Sequence, residues 1–264
     1  MQVYGPNSAQ LVPAYLLLGE SSIGLNQLAQ AEDYLSLAKW ALMKKRAAKK
    51  RELPAQTVDD RSSALRLEGG GEDPDSGRET SAEGSGDAGD ADEEDHEVLA
   101  LLNRNFGLLY LKKGKTEEAI RYFALDIYHS SIAKNDPEDL SVTGGYFHLG
   151  NVFNILPTRA DDCHALFERV AEIWRAALMR DSDNEAQQAE GIQILTAITV
   201  ATANEPVPAA AKRAGATAQH ALALLLARDG ASQEKARAAA AKAIQMNPKA
   251  AAMDAALKKL AAVK

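Results

Sequence analysis

Cysteine is almost missing from this chain: Cys163 is the single one in 264 residues. One thiol closes no internal disulfide and supplies too few ligands for a structural zinc site, so the sequence reads as intracellular. Aromatic residues are scarce at 5%, while alanine is abundant. A β-sandwich needs aromatic and β-branched strands, whereas this mixture suits closely packed helix pairs. Positive charge is not in excess either. The net charge is −7 and no basic face interleaved with aromatics stands out, which argues against nucleic acid as a partner. Long apolar runs are missing too: Leu16-Leu17-Leu18 and Leu224-Leu225-Leu226 are broken within a few residues by Gly19-Glu20 and Arg228-Asp229. A bilayer needs about 20 apolar residues. Met1–Gln10 carries no basic segment followed by a signal-type apolar core. The expectation is a soluble protein with no membrane partner.

What is present is helical periodicity, interrupted once. Leu11 to about Arg51 reads as helical, with a turn near Gly24–Gln27. From about Glu52 the character changes to Gly, Ser, Asp and Glu, with Gly69-Gly70-Gly71, Glu72-Asp73-Pro74-Asp75 and Asp92-Glu93-Glu94-Asp95. Such a stretch buries too little apolar surface to offset its ordering entropy, so 52–97 is expected to be a disordered acidic loop. Periodicity resumes at Val98 and continues to about Met179. An alanine-rich block follows from Glu185, broken near Asn204–Pro208, at Asp229-Gly230 and at Pro248.

Internal repeats organise these helices. Phe106, Gly107, Tyr110, Gly114, Ala119 and Phe123 occupy positions 7, 8, 11, 15, 20 and 24 of the tetratricopeptide pattern. Small residues at 8 and 20 let the two helices of a hairpin cross closely, and the aromatics at 11 and 24 are expected to fill the gaps left against the next hairpin. Gly114 should end the first helix, and Thr116 should cap the second ahead of Glu117 and Glu118. Upstream the frame fits Tyr15, Leu18, Gly19, Ala31, Leu35 and Ala38. Downstream it fits Tyr146, Leu149, Gly150 and Phe153 and, after one extra residue, Cys163, Phe167 and Val170. A weaker copy closes with Ala236, Ala240, Ala243, Ile244 and Pro248. The Gly107–Gly150 interval exceeds the usual ~34 residues, and Gly19–Gly107 leaves room for one ordinary interval plus the acidic insertion. The expected fold is all-α, a solenoid of tetratricopeptide hairpins. Residues 1–51 form the first hairpin, 98–180 two central ones, and 181–264 alanine-rich helices with a degenerate repeat.

No constellation for catalysis or metal binding accompanies the repeats. His96, His129, His148, His164 and His220 are scattered without paired spacing and read as packing or surface residues. Cys163 and His164 are helix neighbours that point apart, so Cys163 reads as a small buried thiol. Gly144-Gly145 lacks the Gly-Lys-Ser/Thr ending of a P-loop and reads as a turn opening a helix. Asp161-Asp162 and Asp92–Asp95 read as solvated carboxylates. Lys44 to Arg51 is a basic helix end suited to the helix dipole, with an acidic partner surface or the chain's own acidic loop as the other reading. Of the five places that make a tetratricopeptide carboxylate clamp, only Asn105 matches; Leu16, Glu20, Gly144 and His148 do not. No cofactor, metal or catalytic residue is expected.

The remaining role is protein binding along a concave face. Positions 5, 9 and 12 of the frame face that groove, namely Leu16, Glu20 and Ile23, then Arg104, Leu108 and Leu111, then Phe147, Asn151 and Asn154. Charge reversal at Leu108 or Phe147 is expected to weaken partner binding without unfolding the chain.

Finer motifs carry a resemblance. The run Val3–Glu20 (VYGPNSAQLVPAYLLLGE), Ala31–Ser36, Arg104–Tyr110, Asp126-Ile127-Tyr128, Gly144–Leu149 and Glu172-Ile173-Trp174 resemble the zinc-finger MYND-domain tetratricopeptide proteins of motile cilia. That family includes the 38-kilodalton-type subunit of inner-arm dynein d. The similarity covers roughly 3–43, 98–178 and, more loosely, 186–200. It implies a ciliary or flagellar axoneme location, with cytoplasm before assembly, and a role in anchoring an inner dynein arm to the doublet microtubule. The partners it implies are the dynein heavy chain, a second tetratricopeptide protein and proteins of the doublet. The family's zinc finger has no counterpart here, and the acidic insertion is a further departure. The alternative reading is a cytoplasmic cargo or assembly adaptor resembling kinesin light chain, which also uses long repeats.

Overall fold

The computed structural model describes residues 8–52, 86–180, 185–203, 208–228, 232–248 and 258–260. The chain is all-α, with no strand among the described residues. Three helix pairs come first: α1 (Val12–Gly24) with α2 (Leu28–Glu52), α3 (Gly86–Lys112) with α4 (Thr116–Ala133), and α5 (Thr143–Ile155) with α6 (Ala160–Arg180). Then come α7 (Glu185–Ala201), α8 (Ala209–Arg228) and α9 (Gln233–Met246).

The pairs are built on one crossing, repeated three times. A Cβ added to Gly19 would stand 2.7 Å from Leu35 Cδ2, one on Gly107 would stand 2.5 Å from Phe123 Cε1, and one on Gly150 would stand 2.7 Å from Phe167 Cε1. The backbone of the first helix therefore rests directly on the large side chain of the second, so position 24 packs within its own hairpin and not, as the repeat frame implies, only against the next one. The small residues four positions before those side chains, Ala31, Ala119 and Cys163, are wholly buried. Each buried Leu or Phe contributes about 1.5–3 kcal/mol through area removed from water.

The turns repeat as well. Asn26, Gly114 and Asn135 have φ of 60°, 73° and 46°. At each, the residue itself donates its N–H three residues back and the next donates five back, as in Gly114 to Leu111 O and Lys115 to Tyr110 O. These are Schellman caps, which satisfy the last carbonyls of the helix. Gly114 thus ends α3 as expected. Thr116 does not cap α4: it is the first helical residue, and Lys115 holds the cap position with no side-chain hydrogen bond. The Schellman turn sets where α4 begins.

The acidic stretch is shorter than expected. Residues 53–85 lie outside the described residues, but 86–97, assigned to the loop from composition, form the opening turns of α3. Acidic residues suit the positive end of a helix dipole. Asp95, 6% exposed, is also held by Lys45 of α2 at 2.6 Å. Tertiary pairing of α2 with α3 extends a helix that composition alone would have left as coil.

The C-terminal third departs from simple stacking. Helix α6 packs chiefly on α8, and α8 on α9 through Ala223, Ala239, Ala240 and Ala243. Helix α7 is left out of that series. It packs on α8 and meets α6 where Gly191 lies against Trp174, and it reaches back to α3 through Glu190. The expected breaks at 204–207 and 229–230 lie outside the described residues.

Candidate functional site, two clefts on opposite faces of α3

With 3.6 residues per turn, Leu101, Arg104, Asn105 and Leu108 share one face of α3, while Leu102, Phe106 and Tyr110 share the opposite one. Each face lines a cleft. The first has a volume of about 510 Å³ and joins Glu20 of α1, Arg104 and Leu108 of α3, Phe147 and His148 of α5, and Glu190, Gln193, Ile194 and Ala197 of α7. Four of the nine sequence-designated groove residues therefore meet there: Glu20, Arg104, Leu108 and Phe147.

The other five do not line it. Leu16 and Ile23 are 7% and 5% exposed and belong to the core with Leu35 and Leu109. They continue the seam of Val12 and Gly19 along α1, and burial of large aliphatic side chains outweighs any groove role. Leu111 packs against the Ala119, Phe123 and Val152 cluster. Asn151 is half-buried and Asn154 exposed on α5, whose cleft-facing turn is the one carrying Phe147 and His148. Leu108 and Phe147 also pack against core clusters, with Phe147 and Phe167 ring centroids 6.1 Å apart. A charge at either position would disturb folding as well as binding, which corrects the expectation drawn from the repeat frame.

Arg104 is not a free groove cation. Its Nε donates to Asp126 Oδ2 at 2.8 Å, and its Nη2 to Ser141 O at 3.1 Å. Its Nη1 lies 3.7 Å from Glu190 Oε1. Asp126 is wholly buried and also accepts from Ser130 Oγ at 3.2 Å. Burial opposes the Arg104 cation, but Asp126, with Glu190 and Glu20 behind it, holds its pKa above the ordinary value. Gly144 and Gly145 make room for the pair. A Cβ on Gly144 would stand 2.7 Å from the guanidinium, and one on Gly145 2.9 Å from Asp126 Oδ2. The glycine pair thus opens α5 beside a buried ion pair.

Asp126, Ser141 and Glu190 were missed in reading the sequence. A signal existed for the first: Ala119, Phe123, Asp126, Ser130 and Ala133 form one buried stripe of α4, so an acid falls in core phase. The position of α7 had no comparable signal. No protein family model matches the chain.

His148 and Cys163 are packed rather than poised. His148 stacks on Phe123 with ring centroids 5.3 Å apart, and burial, with Arg104 nearby, lowers its pKa to about 4. Cys163 is buried and its thiol is pushed up to about 11 by burial. Asp162 pairs with Arg159 at the surface. Among the described residues no three of His, Cys, Asp and Glu gather at metal-holding distance, and no helix is long and apolar enough to cross a membrane. The second cleft, about 500 Å³, lies between α2, α3 and α4 over the stacked rings of Phe106, Tyr110 and Tyr122.

Proposed function

We propose that this chain is a tetratricopeptide-type adaptor without catalytic activity that helps tether an inner-arm dynein to the doublet microtubule. The observation that carries the adaptor reading is the thrice-repeated crossing of Gly19 on Leu35, Gly107 on Phe123 and Gly150 on Phe167. Close helix crossing at position 8, with a small buried residue at position 20, is what the tetratricopeptide frame requires, and stacked hairpins of this kind bind proteins along a continuous face. The dynein reading rests on the resemblance carried by Val3–Glu20, Arg104–Tyr110 and Gly144–Leu149. In this reading α7 forms one wall of the groove, so the partner meets a composite surface of Glu20, Gln193 and the neighbouring turns of α3 and α5.

The test is mild salt extraction of cilia followed by mass spectrometry of what co-purifies. Recovery with an inner-arm dynein heavy chain and a second tetratricopeptide protein is expected. A Glu20→Lys, Gln193→Lys double variant, altered at two exposed positions, should lower that recovery about tenfold with unchanged circular dichroism. Absence from cilia, with kinesin or membrane cargo recovered instead, would sink the dynein reading and leave the adaptor reading standing.

A further inference from the structure

The cleft on the other face of α3 has a different chemistry. Helices α2 and α4 both rest on α3 and barely touch each other, which leaves a trough between them. Its walls carry Met43 from α2 and Leu125 from α4, 58% and 43% exposed, and Leu42 and Leu99 line it as well. Beneath lie the stacked rings, with Phe106 and Tyr122 centroids 5.0 Å apart and Tyr110 and Tyr122 5.3 Å apart. Rings stacked on one another form a stiff apolar floor that loses little conformational freedom when covered.

The trough is rimmed by cations. Lys39, Arg46 and Arg121 line it against a single lining carboxylate, Glu118. Nearby on these helices Lys45 pairs with Asp95 and Lys113 with Glu32, each at 2.6 Å. Among the described residues Lys39, Arg46 and Arg121 stand in no ion pair, although Lys39 lies 5.7 Å over the Phe106 ring. In a chain of net charge −7, three such cations beside exposed Met and Leu are a local reversal of sign. Lys39 and Arg46 are two helical turns apart with Met43 between them on the same face, spanning about 10 Å along α2.

We propose that this trough docks an acidic amphipathic helix of a partner protein, two to three turns long. Its aliphatic anchors cover Met43 and Leu125, and its flanking carboxylates meet Lys39, Arg46 and Arg121. A helix laid between two helices on a third is an ordinary ridge-and-groove arrangement. The charges steer encounter and fix register, and the apolar floor supplies affinity. Nucleic acid fits less well, because Phe106 is only 4% exposed and the rings of Phe106, Tyr110 and Tyr122 already stack on one another. The proposal does not depend on the axonemal reading.

The experiment is selection of a phage-displayed random library of peptides about 16 residues long, roughly four helical turns, against the full chain. The winning peptide is then titrated against variants. Expected winners carry Asp or Glu with large apolar residues at helical spacing and bind in the micromolar range. Met43→Glu should weaken them more than about tenfold. Arg46→Glu and Arg121→Glu should each weaken them several-fold with a reduced salt dependence, and Arg46→Lys should restore most of the affinity. Both wall positions are exposed, and circular dichroism checks that the variants stay folded. The proposal is overturned if no peptide is enriched, if winners lack acidic residues, or if Met43→Glu leaves their affinity unchanged. It is equally overturned if the wild-type chain self-associates through this surface, or if a single-stranded oligonucleotide takes the trough in place of the peptide.

Discussion

The two faces of α3 treat charge in opposite ways. On one, Arg104 is tied to Asp126, Ser141 and Glu190, and α7 closes over it. On the other, Lys39, Arg46 and Arg121 surround apolar side chains without carboxylate partners among the described residues. A cation pointing inward must be paired, because leaving it desolvated and alone costs several kcal/mol. A cation at a rim keeps its water and is available to something outside. Cation and apolar side chains occur on both faces, so residue type alone does not separate a structural pair from an interaction surface.

The sharpest way to break this comparison is to remove one cation from each side. Arg104→Met leaves Asp126 buried without its guanidinium and should cost about 3–5 kcal/mol in urea unfolding at pH 7. Arg46→Met should stay within about 0.5 kcal/mol of wild type. Equal effects would mean that the two faces do not differ as described.

Acid tests the first face next. Burial first, and Arg104 second, lower the His148 pKa to about 4, so the unfolded chain takes up that proton more readily than the folded protein. Stability from this group is complete above the unfolded value near 6.5 and is lost as pH falls toward 4. Between pH 7 and 5 the loss should be about 2 kcal/mol. His148→Phe, which keeps a ring on Phe123, should remove that share of the loss and leave the part due to His129, whose pKa burial, His96 and Arg46 also lower.

The smallest effect tests the crossing beneath both faces. Gly107→Ala forces a methyl group against the buried Phe123 ring and should cost about 1–2 kcal/mol after the helix-propensity gain. Gly19→Ala, which meets the end of the Leu35 side chain, should cost less. Thermal unfolding of the two variants gives the ranking.

Much of the fold was legible from residue spacing. The turn near Gly24–Gln27, the end of α3 at Gly114, and the small buried residues at which the helices of three hairpins approach follow from the repeat frame, whereas the large side chain that each glycine meets does not. The site was legible only in part. Glu20, Arg104, Leu108 and Phe147 do meet in one cleft, but the frame could not show that Leu16 and Ile23 would be drawn into the core. Nor could it show that Arg104 would be held by Asp126, a residue 22 positions away on another helix. The first turns of α3 were misread because composition weighs each segment alone, whereas Asp95 is fixed by a lysine on α2.

By itself the sequence determined helix periodicity, the turns, and the glycine positions where helices approach, because each depends on neighbours within one turn or one hairpin. Tertiary structure alone decided which charges are satisfied internally, that α7 leaves the series to line the groove, and that a cation-rimmed trough remains between α2 and α4. Those outcomes depend on desolvation and on packing between distant segments, and both are set only when the helices have docked.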